Sequence, residues 1–316
     1  MRKNLIVALL VLAMLGTLAT AQAETFISIA TGGTSGTYYP LGGDIANLFN
    51  TTIEGINANA QATGGSAENL RLINSGDAEL GTVQNDVSAY AYEGIDSFDG
   101  EVINTFSVIT SLYPEVIQLV ARTDAGIEKI EDLKGKRVSV GAAGSGTYFN
   151  AIHLLAAAGM TLDDIDEQFL SFAESGDAAK NRQIDAFFCT AGIPNAAITE
   201  LASGSGTKVI ALSEETVTNL LATKPFYVDF TIPGGTYPGM DEDIRTVAIT
   251  ALLVCTNDLD EDLVYQMTKN LYEKGEELLT HAKKTEITLE TALDGIGTLP
   301  LHPGAEKYYK EVGLID

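Results

Sequence analysis

Short apolar runs alternate along the chain with segments in which apolar residues recur at helical spacing. Helical spacing is found over Tyr38–Asn50, Glu68–Ser75 and Thr147–Gly159, before Leu201 and again from Asp260 onward. Apolar runs with strand character are predicted at Thr25–Ala30, Ile56–Thr63, Ala78–Val83, Thr105–Ser111, Val116–Arg122, Arg137–Gly141, Ile184–Cys189, Lys208–Leu212, Phe226–Ile232 and Val247–Val254. This alternation predicts an α/β fold in which open, mostly parallel sheets are flanked by helices.

Two stretches of the chain follow the same order of strand, glycine-rich loop, helix and strand. One begins at Thr25 and the other at Arg137, whereas the last third has no further glycine loop. We therefore expect two lobes with a ligand cleft between them and two hinge crossings. Residues 24–112 would form the first part of lobe 1, residues 113–224 lobe 2, and residues 225–316 the return to lobe 1 with the C-terminal helices.

The first 23 residues have the pattern of a cleaved secretion signal. Arg2 and Lys3 precede an apolar run from Leu5 to Leu18, and Ala21-Gln22-Ala23 fits the small-x-small cleavage rule. The run is shorter than the roughly 20 residues that span a bilayer, which disfavours the alternative of a membrane anchor. With no Cys near the cut, we expect no lipid anchor and a periplasmic protein.

Composition limits the classes of partner and cofactor. With 19 Lys and Arg against 43 Asp and Glu, the formal net charge is −24, so the chain should be repelled by nucleic acid. Two Cys and three dispersed His leave little room for a metal centre, and we expect no cofactor. Cys189 and Cys255 fall in different lobes and are expected to be buried free thiols. We expect a monomer.

The loop between the first strand and helix combines glycines with hydroxyl side chains. It contains Gly33, Thr34, Ser35 and Gly36, and such a loop presents backbone N–H groups at the positive end of a helix. An anion or carboxylate site is favoured here over a tight turn that simply needs Gly. The spacing Gly-x-Ser-x-Gly of a hydrolase nucleophile is absent, which disfavours hydrolase chemistry.

The second glycine loop holds Gly144, Ser145, Gly146 and Thr147 ahead of the next helix. It nearly matches a phosphate loop, but Thr147 stands where that motif requires Lys, and the dinucleotide pattern fails because Phe149 stands where it needs Gly. A small anion at the helix N-terminus remains the favoured interpretation. Two such ends, one in each lobe, would clamp a ligand as the hinge closes.

Polar side chains at the end of the third strand form another candidate group. Asp86 could pair with a ligand ammonium, whereas the alternative for Asn85 and Asp86 is capping of the following helix. Glu115 is placed at the hinge or the cleft rim. His153 lies among apolar residues on a helix and is expected to pack rather than bind.

The sequence does not assign single roles to the tyrosines near the loops or to the arginines. Tyr38, Tyr39 and Tyr113 could line a pocket or pack in the core. No Arg lies within a glycine loop, so an Arg clamp on a ligand carboxylate is not evident, and Arg122 or Arg182 would be the candidates if folding supplied one.

The assembled segments resemble the TAXI family of solute-binding proteins, which serve TRAP (tripartite ATP-independent periplasmic) transporters. The resemblance spans nearly the whole chain after the signal. It is carried by Ile29–Gly42, Gly64–Leu70, Leu80–Asp86, Leu112–Glu115, Gly141–Tyr148, Asp185–Pro194, Gly235–Gly239 and Leu301–Ala305.

The resemblance implies a two-lobed periplasmic binding protein of the type II class. It also implies a small organic anion or acidic amino acid as ligand, such as glutamate, glutamine or 2-oxoglutarate, and delivery to a TRAP permease driven by an ion gradient. Ala191 and Gly192 join the cleft lining on this basis. A receptor for an ATP-driven transporter or a sensor, and a periplasmic enzyme on the same scaffold, are the alternatives.

Overall fold

The computed structural model describes residues 24–204 and 206–316. The predicted signal peptide lies outside these residues. The strands are β1 (Thr25–Ala30), β2 (Ile56–Gln61), β3 (Leu80–Gln84), β4 (Phe106–Arg122), β5 (Arg137–Ser139), β6 (Asp166–Gln168), β7 (Ala186–Ala191), β8 (Thr207–Ile210), β9 (Val228–Ile232) and β10 (Ile244–Thr256). The helices are α1 (Tyr38–Thr52), α2 (Ser66–Ser75), α3 (Asn85–Glu93), α4 (Gly146–Ala157), α5 (Phe172–Lys180), α6 (Ala196–Gly204), α7 (Glu214–Thr223), α8 (Glu261–Leu278) and α9 (Pro303–Glu311).

The strands pair in the order β2-β1-β3-β10-β4-β7-β5-β6, with β8 on β4 and β9 on β10. Strands β1, β2 and β3 pair in parallel, as do β5, β6 and β7, while the pairs made by β4 and β10 are antiparallel. The predicted α/β fold is confirmed.

Two long strands join the two lobes. The Thr256 end of β10 pairs with β3, whereas its Ile244 end pairs with β9. Lobe 1 therefore comprises β1–β3 with the Phe106 end of β4, and lobe 2 comprises β5–β9 with the Arg122 end of β4.

This arrangement differs from the sequence expectation in two places. The predicted strands Thr105–Ser111 and Val116–Arg122 form one strand that continues through Pro114, which pairs with Thr250. Strand β9 and the first part of β10 pack in lobe 2, although the chain from residue 225 was expected to return directly to lobe 1. Both differences have one cause, because crossing strands long enough to serve both lobes cannot be divided at a single residue.

Side-chain alternation along the crossing strands places apolar residues on both faces of the sheet. In lobe 1, Leu253 packs with α1 and α8 on one face while Leu252 packs with α2 and α3 on the other. In lobe 2, Ile117 and Val116 divide in the same way between two further clusters. A sheet buried on both faces explains the continuous apolar runs of the sequence.

The two cysteines belong to different apolar clusters. Cys189 is buried in lobe 2 and Cys255 in lobe 1, and both are free thiols, as predicted. Across the part of the chain that the structure describes, no helix is long and apolar enough to cross a membrane.

Candidate functional site

A cleft, partly open to solvent, lies between the lobes. It is lined by residues from both of them, and Thr190 and Glu115 form the wall near the crossing strands. The other lining residues are Gly32, Gly33, Gly36, Thr37, Tyr38, Thr63, Gly64, Gly65, Ser66, Gln84, Ala142, Ser145, Gly146, Thr147, Ser171 and Phe172.

The N-termini of four helices converge on this cleft. Helices α1 and α2 begin there from lobe 1, and α4 and α5 begin there from lobe 2. Each follows a strand of a parallel pair, namely β1, β2, β5 or β6, and the carboxyl ends of such strands meet at one edge of a sheet. Helix N-termini carry unpaired N–H groups and a positive dipole end, so the arrangement favours a bound anion.

Local capping chemistry begins the helices of lobe 2. The Ser145 hydroxyl accepts a hydrogen bond from Tyr148 N at 3.2 Å and so caps α4. At α5, Ser171 Oγ accepts from Glu174 N at 3.3 Å while the Glu174 carboxylate accepts from Ser171 N at 2.9 Å, which is a capping box. These short-range bonds place both hydroxyl residues at the cleft.

We call this arrangement, in which the lobes touch each other around the cleft, the closed state. The Gly144 carbonyl of lobe 2 accepts hydrogen bonds from Ala67 N and Glu68 N of lobe 1, at 3.1 and 3.3 Å. On another side of the cleft, Gly192 N donates to Thr37 Oγ1 at 3.1 Å.

Gly64 lets the lobes approach at their closest point. A Cβ atom at this position would lie 2.4 Å from the carbonyl oxygen of Ala143, which is backbone of the opposite lobe. Only Gly fits between these two segments in the closed state.

Glu115 supplies the one ionisable carboxyl group among the lining residues that the structure describes. It lies on β4, is 2% exposed, and accepts a hydrogen bond from the Tyr38 hydroxyl at 2.5 Å. Burial raises the pKa of Glu115 to about 8; the Tyr38 hydrogen bond opposes this rise and the charge of Asp86 adds to it. At neutral pH this carboxyl is therefore largely protonated.

Gln84, at the end of β3, offers a buried acceptor. Its Oε1 has no hydrogen-bond partner among the described residues, and its amide packs against Gly146, where a Cβ atom would come within 2.0 Å of Oε1. A ligand N–H or O–H group would satisfy this oxygen.

A series of buried side-chain hydrogen bonds runs from the cleft wall across the boundary between the lobes. Thr190 Oγ1 donates to Asn150 Oδ1 at 2.9 Å, and Asn150 Nδ2 donates to Asp86 Oδ2 at 3.1 Å. The Tyr227 hydroxyl lies 3.3 Å from the same Asp86 oxygen and 2.8 Å from His153 Nδ1. Burial raises the pKa of Asp86.

The arginines lie outside the cleft lining. Arg122 and Arg182, the candidates for a ligand clamp, pair with Asp124 at 2.8 and 3.2 Å, and Arg122 also hydrogen-bonds the Ile184 carbonyl. No Lys or Arg is among the lining residues that the structure describes. Among the described lining residues, helix N-termini are therefore the source of partial positive charge.

The structure brings together part of the predicted site. Gly33, Gly36, Tyr38, Ser145, Gly146 and Thr147 all line the cleft. The remaining predicted residues lie outside its lining: Thr34, Ser35, Tyr39, Asn85, Asp86, Tyr113, Gly144, Ala191 and Gly192.

Several of the residues outside the lining hold the lobes or the hinge. Gly144 and Gly192 make the contacts between lobes described above, and the Ser35 carbonyl accepts from Asn195 Nδ2 at 3.3 Å. Asn85 Oδ1 accepts from Thr250 N at 3.1 Å and so extends the bonding of β3 to β10 past the end of the strand. Thr34 is exposed.

Lining residues that the sequence analysis did not predict also lie at or just after the carboxyl ends of strands. Thr63–Ser66 follow β2, Ser171 and Phe172 follow β6, and Thr190 lies near the end of β7. Applying the carboxyl-end rule to every predicted strand, rather than to the glycine-rich loops alone, would have pointed to most of them. Gln84 was not missed, because it belongs to the polar group predicted at the end of the third strand.

His153 forms polar contacts in addition to the apolar packing expected for it. It is 4% exposed, and besides the Tyr227 contact its Nε2 lies 3.2 Å from Asp96 Oδ2. Asp96 also pairs with Lys224 of lobe 2, so this corner joins the lobes by polar contacts.

Solved structures of known proteins share this fold. A protein of Bordetella bronchiseptica RB50 matches with a TM-score of 0.54 at 16% identity, covering 91% of this chain and 82% of that one. The ligand-binding component of an ABC-type import system from Staphylococcus aureus, with zinc bound, matches with a TM-score of 0.50 at 10% identity, covering 92% and 93%. The alkanesulfonate-binding protein SsuA from Xanthomonas axonopodis pv. citri, bound to MOPS, matches with a TM-score of 0.49 at 16% identity, covering 91% and 84%.

A sequence model gives the family. The model of the NMT1-like family matches residues 29–313, a span that runs from β1 to the end of α9 and includes every residue of the cleft lining. The chain therefore belongs to the NMT1-like family.

Proposed function

We propose that this protein is an extracytoplasmic solute receptor that binds a small organic anion or acidic amino acid by closure of its two lobes. The observation that carries the proposal is the convergence of four helix N-termini, two from each lobe, on a cleft whose described lining contains no Lys or Arg. A carboxylate there would accept hydrogen bonds from both lobes at once.

Closure and binding would be coupled by this geometry. Contacts such as Gly192 N to Thr37 Oγ1 join the lobes around the site, so a ligand in the cleft adds a further bridge between them. A ligand that contacts both lobes stabilises the closed state over the open one by its differential affinity.

The proposed partner is a TRAP permease of the TAXI type, driven by an ion gradient. Support comes from the resemblance of segments such as Ile29–Gly42 and Gly141–Tyr148, which form the N-terminal loops of α1 and α4 at the cleft. A receptor for an ATP-driven importer is the second candidate, because the S. aureus protein of similar fold is the ligand-binding component of an ABC-type import system. Uptake into proteoliposomes that hold the partner permease, with an ion gradient and no ATP, would favour TRAP.

Enzymatic activity is the weaker alternative. None of the lining residues that the structure describes is a His or Cys, so Ser145 and Ser171 have no imidazole in the lining to act as a general base.

The first test is a thermal-shift panel on the refolded, ligand-free protein. Acidic amino acids, their amides, 2-oxo acids, C4-dicarboxylates, sugars and nucleotides would be compared. A ligand at 100 times its Kd adds about 2.7 kcal/mol of stability, which is readily measured. We expect a shift with one class of carboxylic acid. A shift confined to sugars or nucleotides would contradict the anion site.

A further inference from the structure

The carboxyl group of Glu115 and the helix N-termini of the cleft have opposite effects on an anionic ligand. Four helix N-termini favour an anion, yet the described lining residues include one carboxyl group, that of Glu115. An ionised Glu115 would repel a ligand carboxylate within this cleft. The nearby cation does not neutralise it, because Lys283 Nζ lies over the Tyr113 ring and is paired with Glu286 at 2.5 Å.

We propose that Glu115 takes up a proton when the cleft closes on an anionic ligand. The protonated residue then determines specificity, because it accepts a carboxylate ligand whether or not that ligand carries an ammonium group. This inference rests on the proposed function and adds the charge state of the site. The proton comes from solvent and is held on the Glu115 carboxyl as a neutral acid. Because the Tyr38 hydroxyl donates to Oε2, the proton is carried on Oε1.

Burial and the charge of Asp86 favour the neutral acid form of Glu115, while the Tyr38 and Tyr113 hydroxyls oppose it to a smaller extent. Helix α3 contributes Asp86, whose charge opposes a second negative charge, and β7 contributes the Cys189 thiol. Helix α1 contributes the Tyr38 hydroxyl. On β4, the Tyr113 hydroxyl faces the same carboxyl but lies outside normal hydrogen-bond geometry. Opposite Glu115, β10 contributes Ile249.

Binding should then depend on pH in a defined direction. Opening of the lobes would expose Glu115 to water and return its pKa toward the ordinary value of about 4.3. Closure raises that pKa to about 8. Between these values the closed state binds one proton more than the open state, so affinity falls about tenfold for each pH unit of increase.

The experiment is calorimetric titration of the whole protein with 2-oxoglutarate and with L-glutamate, which differ in the ammonium group. Titration at pH 6.5 in two buffers of different ionisation enthalpy gives the number of protons taken up, and titrations from pH 5.5 to 7.5 give the slope. We expect uptake of about one proton with either ligand. Glu115→Gln should bind at least as tightly as the wild type at pH 7 and lose the slope. Glu200→Gln, an exposed carboxyl on α6, is the matched control and should keep it.

The contrary outcomes are distinct. Binding of 2-oxoglutarate or L-glutamate with no proton uptake would overturn this inference and leave the proposed function intact. Binding of L-glutamate alone, lost in a folded Glu115→Gln variant, would make Glu115 an ionised partner of the ammonium group and would also overturn it. If no carboxylic acid binds at pH 6.5, the proposed function and this inference fail together. The number of protons that the wild type takes up on binding tests this inference even if the Glu115→Gln variant does not fold.

Discussion

At the scale of single residues, Glu115 has the most unusual environment in the cleft. Its carboxyl is buried at the point where β4 passes between the lobes, with Tyr38 as its hydrogen-bond donor. Asp86 is buried to a similar extent but has a different role. Its carboxylate accepts hydrogen bonds from Asn150 and Tyr227, and it lies outside the cleft lining. A carboxyl facing the cleft can respond to a ligand, whereas one enclosed by fixed donors holds the lobes together.

Burial of Glu115 should make the stability of the closed, ligand-saturated protein depend on pH. The folded pKa of about 8 exceeds the unfolded value of 4.5, so this contribution to stability is fully present below pH 4.5 and is lost as the pH rises through 8. Glu115→Gln should therefore gain stability relative to the wild type between pH 5 and pH 8. Urea denaturation at both pH values measures the difference, and a difference that stays constant would contradict the burial of this carboxyl.

At the scale of secondary-structure elements, the site depends on where helices begin. Ser145 and Ser171 cap α4 and α5 through bonds that span three residues, and both hydroxyls reach the cleft. Thr34 lies in the corresponding loop of lobe 1 but is exposed, and Thr37 instead bonds to Gly192 of the opposite lobe. Loops of similar composition therefore have different roles, depending on how their helices are oriented.

Ser145→Ala should reduce both stability and ligand affinity. Loss of the N-cap costs about 1 kcal/mol, and the cleft loses one hydroxyl at the anion site. Thr34→Ala is the matched control and should change neither quantity, since its side chain lies outside the lining. Guanidinium denaturation and titration with the ligand found in the thermal-shift panel provide the measurements. Equal losses of affinity in the two variants would count against the assigned lining.

At the scale of the whole molecule, two crossing strands connect the lobes while each lobe keeps its own apolar core. Each lobe has apolar clusters on both faces of its half of the sheet, and β4 and β10 contribute side chains to all four clusters. Bending of these strands near Pro114 and Thr250 would alter the cleft and leave the helices packed. Closure is then limited by the contacts where the lobes meet.

Gly64→Ala should hold the lobes apart. The added methyl would meet the Ala143 carbonyl of the opposite lobe at 2.4 Å, and the Glu68 carboxylate of its own lobe at 2.7 Å. The Glu68 side chain can move aside whereas the Ala143 backbone cannot, so the variant should fold and bind its ligand at least tenfold more weakly. Gly43→Ala, on α1 with no atom within 4 Å of its Cβ position, is the control and should bind like the wild type with slightly higher stability. Small-angle scattering should record compaction by ligand in the control but not in Gly64→Ala. Compaction in both would refute closure at this contact.

The sequence by itself determined the features that arise from short-range chemistry. Glycine loops, cap residues and alternating apolar runs specify the α/β order and place Gly33, Gly36, Ser145, Gly146 and Thr147 at helix N-termini, because these signals act over a few residues. The family resemblance added the order of the segments.

Tertiary structure alone decided the features that depend on contacts distant in the chain. The continuity of β4 through Pro114 depends on pairing with β10, more than a hundred residues away. The position of Glu115 in the cleft, and of Asp86 outside it, depends on how the lobes close over residues such as Asn150 and Tyr227. No local pattern encodes the burial of a carboxyl, because burial is a property of the packing around it.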